Sequence, residues 1–186
     1  MRKATLIIFS VLLCGYVTAQ FKPRLPVPSF SDSLSMVIND AGHNYYTIQG
    51  VALTSETDRD SYQSKVTLPG SSLCMIYRYH STQDTSASWH AIMYKGEDYK
   101  EAVKSYKNTF RLVKKTKFML NSKSIHFEGA MDEPDESLRF TVSTLRTSSQ
   151  VIGYDNFIAE VEMVNSYDGW EVHLNIQKRK NDTERY

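Results

Sequence analysis

The sequence predicts an α+β protein in which a tandem αββββ plan forms an antiparallel sheet with two helices packed on one face. Three observations predict this fold. Phe30 to Ala41 and Glu97 to Val113 repeat apolar residues at steps of three and four, as amphipathic helices do. Most remaining segments alternate apolar and polar side chains with a period of two, as half-buried strands do. The order of one helix followed by four strands occurs twice. A helix with a single apolar stripe must bury it, and the alternating strands supply the surface.

Residues 1–19 read as a secretory signal. Arg2 and Lys3 form the positive start, Thr5 to Tyr16 the apolar core, and Val17-Thr18-Ala19 a small-residue cleavage site that leaves Gln20 at the mature terminus. The apolar run is shorter than the ~20 residues that cross a bilayer. The expectation is a soluble chain, secreted or periplasmic. A lipoprotein anchored at Cys14 is the minor alternative, disfavoured because Leu13 stands where lipidation signals place a small residue.

Loss of the signal leaves Cys74 as the single thiol, so no intrachain disulfide is possible and the core must hold the fold. A hydrophobic fraction of 41% in a chain of this length suffices for one domain. That domain is expected over residues 29–177, with halves at about 29–95 and 97–177. The near balance of Lys and Arg against Asp and Glu argues against a nucleic-acid partner.

Taken in order, residues 20–28 hold Pro23, Pro26 and Pro28 and read as an extended lead-in. The first helix, Phe30 to Ala41, has Ser29 or Ser31 as cap, a stripe of Phe30, Leu34, Val37, Ile38 and Ala41, and Gly42 as a left-handed stop. Strands are expected at Tyr45 to Leu53, Tyr62 to Leu68, Leu73 to His80 and Trp89 to Lys95. Thr54 to Asp60 and Ser81 to Ser88 are the loops between them. Leu73 to His80 is apolar or aromatic on both sides and reads as a strand covered on both faces.

Gly96 ends the fourth strand, and Asp98 caps the second helix with Glu101 three residues on, the spacing of a capping box. Its stripe is Tyr99, Ala102, Val103, Tyr106, Phe110 and Val113. After a short apolar piece at Phe118 to Leu120 come strands at Ser124 to Met131, Leu138 to Leu145, Phe157 to Val164 and Trp170 to Gln177. The last two are joined through an Asp168-Gly169 turn. Residues 178–186 are charged, lack periodicity and read as a flexible tail.

The halves also match in detail. Phe30, Leu34, Val37 and Ala41 fall on Tyr99, Val103, Tyr106 and Phe110 at the same spacing. Each helix is followed by a strand containing a glycine, Gly50 or Gly129, and each half closes on a tryptophan-led strand, at Trp89 or Trp170. In element order alone the plan resembles the β-lactamase-inhibitor-protein architecture, whose tandem unit presents a concave sheet face to a partner protein. The cysteine pairs of that family are missing here.

Chemistry-bearing signals are sparse. His80 and His90 flank one loop and, with Asp84, offer a weak metal site, but no HxH, HExxH or Cys/His spacing supports it and strand-end histidines in solvent are the simpler reading. The acidic stretches Glu56 to Asp60 and Asp132 to Glu136 lack the ligand spacing of a calcium loop. Ser71 and Ser72 lack a nucleophile elbow, and Cys74 lies in a strand expected to be buried. Tyr45, Tyr46, Tyr77, Tyr79 and Tyr94 cluster in the first half and, exposed on a sheet face, would bind a protein or a glycan; as core residues they would simply pack. The basic run Arg111, Lys114, Lys115 and Lys117 suits the C-terminal end of a helix dipole and could touch acidic lipid headgroups.

No cofactor is implied. The expected function is an exported, non-catalytic binding module, against an envelope hydrolase or metal-binding protein assembled from His80, Asp84 and His90.

Overall fold

The computed structural model describes residues 28–80, 86–150, 152, 154 and 156–178. The expected signal segment, nearly all of the expected Pro-rich lead-in, Asp84 and most of the expected tail lie outside them. The chain is a mixed α+β protein with two helices, α1 (Phe30–Ala41) and α2 (Tyr99–Lys115), and one nine-stranded antiparallel sheet. The strands are β1 (Gln49–Ser55), β2 (Arg59–Ser64), β3 (Leu73–Tyr79), β4 (Ala87–Gly96), β5 (Lys117–Leu120), β6 (Lys123–Glu128), β7 (Phe140–Thr147), β8 (Phe157–Ser166) and β9 (Gly169–Lys178). Across the sheet they run β1-β2-β3-β4-β9-β8-β7-β6-β5. The two longest-separated neighbours, β4 and β9, therefore meet at its middle.

Helix α1 starts where the sequence places it. Ser29 Oγ accepts from the Asp32 amide while the Asp32 carboxylate accepts from the Ser29 amide, a complete capping box. Its stop differs from expectation. Gly42 is right-handed (φ −63°), and the left-handed step falls on Asn44 and Tyr45 (φ 55° and 60°). A Tyr held at positive φ is costly and needs a compensating anchor. Here the ring is buried, its hydroxyl donates to the Ile176 carbonyl at 2.9 Å, and its amide donates to Asp40 O. Tyr45 to Ile48 is thus a turn, and the first strand begins only at Gln49.

The same correction applies further on. The second strand begins at Arg59 rather than Tyr62 and ends at Ser64, with Glu56 N donating to Arg59 O to close a tight hairpin inside the expected acidic loop. Strand β3 is not covered along its length, since Cys74, Met75 and Ile76 are buried while Tyr77, Arg78 and Tyr79 are half exposed. Helix α2 is capped by Asp98, whose carboxylate accepts from the amides of Lys100 and Glu101; the Glu101 carboxylate turns to Lys104.

Directly paired residues share a sheet face. One face carries Tyr62, Ile76, Trp89, Ile176, Ala159 and Leu145 along a single line of cross-strand pairs. These strand residues, Tyr62 at its margin, form one apolar cluster with Leu34, Val37 and Ile38 of α1 and Ala102, Tyr106 and Val113 of α2. The buried indole of Trp89 donates to Ser64 Oγ at 3.0 Å, and the Trp170 ring packs on Tyr99 at 5.1 Å, so both tryptophans lie on this face. Gly169 takes φ +107°, and an added Cβ there would stand 2.7 Å from Gly96 O, so only glycine fits that turn.

Candidate functional site

The second face of the sheet carries side chains of opposite parity, and the register arranges them in rows. Tyr77, Ser88, Gln177, Ile158 and Arg146 form one row; Met75, His90, Asn175, Glu160 and Thr144 the next; Ile92, His173, Glu162 and Val142 the third. The face does not follow the usual solvated pattern of an antiparallel sheet. Met75, Ser88 and Ile158 on it are buried, and its centre is a linked set of ionisable groups.

Two histidines anchor that set. His90 on β4 and His173 on β9 are diagonal neighbours across the central strand pair, with His90 Nε2 2.9 Å from His173 Nδ1. His173 Nε2 stands 3.1 Å from Glu171 Oε2. A carboxylate only accepts, so His173 carries its proton on Nε2, its Nδ1 is the acceptor, and His90 Nε2–H is the donor between the rings. Glu171 in turn accepts from Lys95 Nζ at 2.8 Å. On the other side, the Tyr77 ring meets His90 edge-on at 5.7 Å and the Arg59 guanidinium lies 4.7 Å over the Tyr77 ring. A continuous chain of contacts therefore runs Arg59, Tyr77, His90, His173, Glu171, Lys95, from β2 to the middle of the sheet.

The electrostatics follow from burial and partners. Burial first, then the neighbouring His173, lowers the His90 pKa to about 4. Burial also lowers His173, against the opposing pull of Glu171. The Lys95 hydrogen bond holds Glu171 below the usual carboxylate range, whereas burial raises Glu162 beside Asn175. Both imidazoles are thus neutral at neutral pH. Asn175 Oδ1, next to His90, is buried with no hydrogen-bond partner among the described residues.

The tyrosines singled out from sequence separate. Tyr77 and Tyr79 share the second face, half exposed, opposite Ser61 and Arg59 of β2. Tyr45 is in the core. Tyr94 pairs with Val172 on the core face and donates to Asp98 O. Tyr46 is exposed in the turn before β1, with the Arg78 guanidinium 3.6 Å over its ring.

His80 and His90 do not converge. His80 follows the end of β3, and His90 sits five pairing steps along β4, roughly 17 Å away at strand rise. His80 Nε2 lies 3.7 Å from Asp60 Oδ1, and Asp84 is outside the described residues. Among the described residues no group of three His, Cys, Asp or Glu side chains is placed to hold a metal. Cys74 is buried beside Ser71 Oγ, and burial raises its thiol pKa, which makes it a poor nucleophile.

The sequence missed His173, Glu171 and Arg59 as members of one set. Their signal was faint: alternate positions of β9 carry Glu171, His173, Asn175 and Gln177, an unusually polar second face for a strand whose other positions are Trp170, Val172, Leu174 and Ile176. Compared with known protein families, with curated proteins and with solved structures, the chain matches none.

Proposed function

We propose that this chain is an exported, non-catalytic binding module that holds a partner protein on the second face of its sheet. The observation that carries the reading is the contact chain from Arg59 through Tyr77, His90 and His173 to Glu171. Arg and Tyr dominate the residues whose truncation most weakens protein interfaces. These are fixed in advance by cation–π, ring and hydrogen-bond contacts, which lowers the ordering cost of binding. The row of half-buried polar and aromatic groups gives a broad, patterned surface, and the buried thiol and the separated His80 and His90 offer no assembled nucleophile or metal centre for a hydrolase.

The architecture behind this reading is a tandem αββββ unit with both helices on one sheet face. The strand order mirrors itself about the β4–β9 junction, with β5 added at one edge. A Cβ on Gly50 would meet the carbonyl of Gln63 at 2.7 Å, and one on Gly129 the carbonyl of Thr144 at 2.6 Å. The same close approach of a neighbouring strand thus recurs at both glycines that the halves align. Trp89 and Trp170 share a face in the same way. Helices from both halves contribute to the same core cluster, which leaves the opposite face for a partner.

The test is capture of partners from the extracytoplasmic fraction of the source cells. The variant Arg59→Ser/Tyr77→Ser/Tyr79→Ser changes only half-exposed side chains and should keep the wild-type melting temperature within a few degrees. Wild type is expected to retain a protein that the variant binds at least about 30-fold more weakly. Equal retention by the variant, or turnover of a substrate by wild type, would contradict the proposal.

A further inference from the structure

Charge is distributed unevenly along this near-neutral chain. Between Tyr99 and Lys123 stand eight cationic side chains, Lys100, Lys104, Lys107, Arg111, Lys114, Lys115, Lys117 and Lys123, against the single carboxylate of Glu101. Two of them are neutralised, Lys104 by Glu101 and Lys107 by Glu133. Arg111, Lys114, Lys115, Lys117 and Lys123 have no carboxylate within ion-pair distance among the described residues; Lys114 Nζ donates to the Gly129 carbonyl at 2.9 Å. A helix C-terminus favours cations in its last turn, which accounts for Lys114 and Lys115 but not for Lys117 and Lys123 beyond it.

A groove of about 530 Å³ opens among these cations. Its walls are Lys107, Arg111, Lys114 and Lys115, and its floor is Phe110 and Met131. Strand β5, which follows α2 directly in the chain, alternates buried Phe118 and Leu120 with outward Lys117 and Met119, and Met119 is 55% exposed. Cations around an apolar floor match a surface with anionic headgroups over aliphatic chains. A nucleic acid is a poorer fit, because a phosphate backbone would engage the cations alone and leave the exposed side chain of Met119 without a partner.

We infer that the C-terminal half of α2, with β5, is a docking site for the surface of an anionic bilayer, one phosphate headgroup resting between Arg111 and Lys115. The site is separate from the sheet face proposed above and does not depend on it. Two variants test it, Arg111→Glu/Lys115→Glu, which reverses exposed charges, and Met119→Asp, which places a carboxylate on the outward apolar side chain of β5. The measurement is co-sedimentation with vesicles of phosphatidylcholine alone or with about a third phosphatidylglycerol, at low and high salt. The expected result is partition onto the anionic vesicles only, lost in high salt, weakened about a hundredfold or more by the double charge reversal and severalfold by Met119→Asp. Equal binding to neutral vesicles, no binding to anionic ones, or tighter binding to a DNA duplex than to anionic vesicles at the same salt would overturn it.

Discussion

His90 and His173 are the residues whose chemistry depends most on the fold. In an unfolded chain an imidazole titrates near ~6.5, whereas burial and its neighbour hold His90 at about 4. Between those values the unfolded chain binds more protons, so the contribution is fully present above the unfolded pKa and is lost as pH falls through the folded one. Arg59, Tyr77, Lys95, Glu171 and Glu162 face the pair; loss of charge on Glu171 acts in the same direction, and the raised Glu162 acts in the opposite one. Urea unfolding at pH 7 and pH 4 should therefore show a loss of stability for wild type that is smaller for His90→Gln, by on the order of 2–3 kcal/mol. An identical pH dependence in the two proteins would contradict the assignment of His90 as buried and neutral. The pair was not legible in the sequence. The two histidines are 83 positions apart, and their contact exists only because β4 lies beside β9 in one particular register.

Individual elements were read with uneven success, for local reasons. The bounds of α1 match expectation because its stripe and the Ser29–Asp32 box are both local signals. The first strand does not, because the chain passes through left-handed Asn44 and Tyr45 before it can extend, and that conformation is stabilised by the distant Ile176 carbonyl. Strands led by tryptophan were recognised from alternation alone, and their packing sets a further expectation. Trp89 and Trp170 are both buried, so Trp89→Ala and Trp170→Ala should each destabilise the protein by ~3–5 kcal/mol. Trp89 should lie at the upper end, since it is fully enclosed and also hydrogen-bonded to Ser64 Oγ. Ser64→Ala leaves the indole N–H unpaired and should cost ~1–3 kcal/mol. Denaturant titration of the three variants checks the ranking, and a near-neutral effect at Trp170 would contradict the shared core.

At the scale of the whole molecule, the α+β class and the antiparallel sheet were readable from periodicity, whereas the strand order was not. Alternation says that a strand has one buried face; it does not say that β4 and β9 are neighbours or that a polar row of β9 faces Tyr77 and His90. The candidate surface was therefore only partly foreseen, through Tyr77 and Tyr79, while Tyr45 and Tyr94 proved to be packing residues. The proposed partner sits on the second sheet face. Site-specific photo-crosslinking in the source cells measures this most directly, with the reactive side chain placed at Tyr79 on that face or, as a control, at Asn108 on the exposed side of α2. A discrete crosslinked protein from position 79, absent from position 108, is the expected outcome; the same product from both positions, or from 108 alone, would rule out this face as the binding surface.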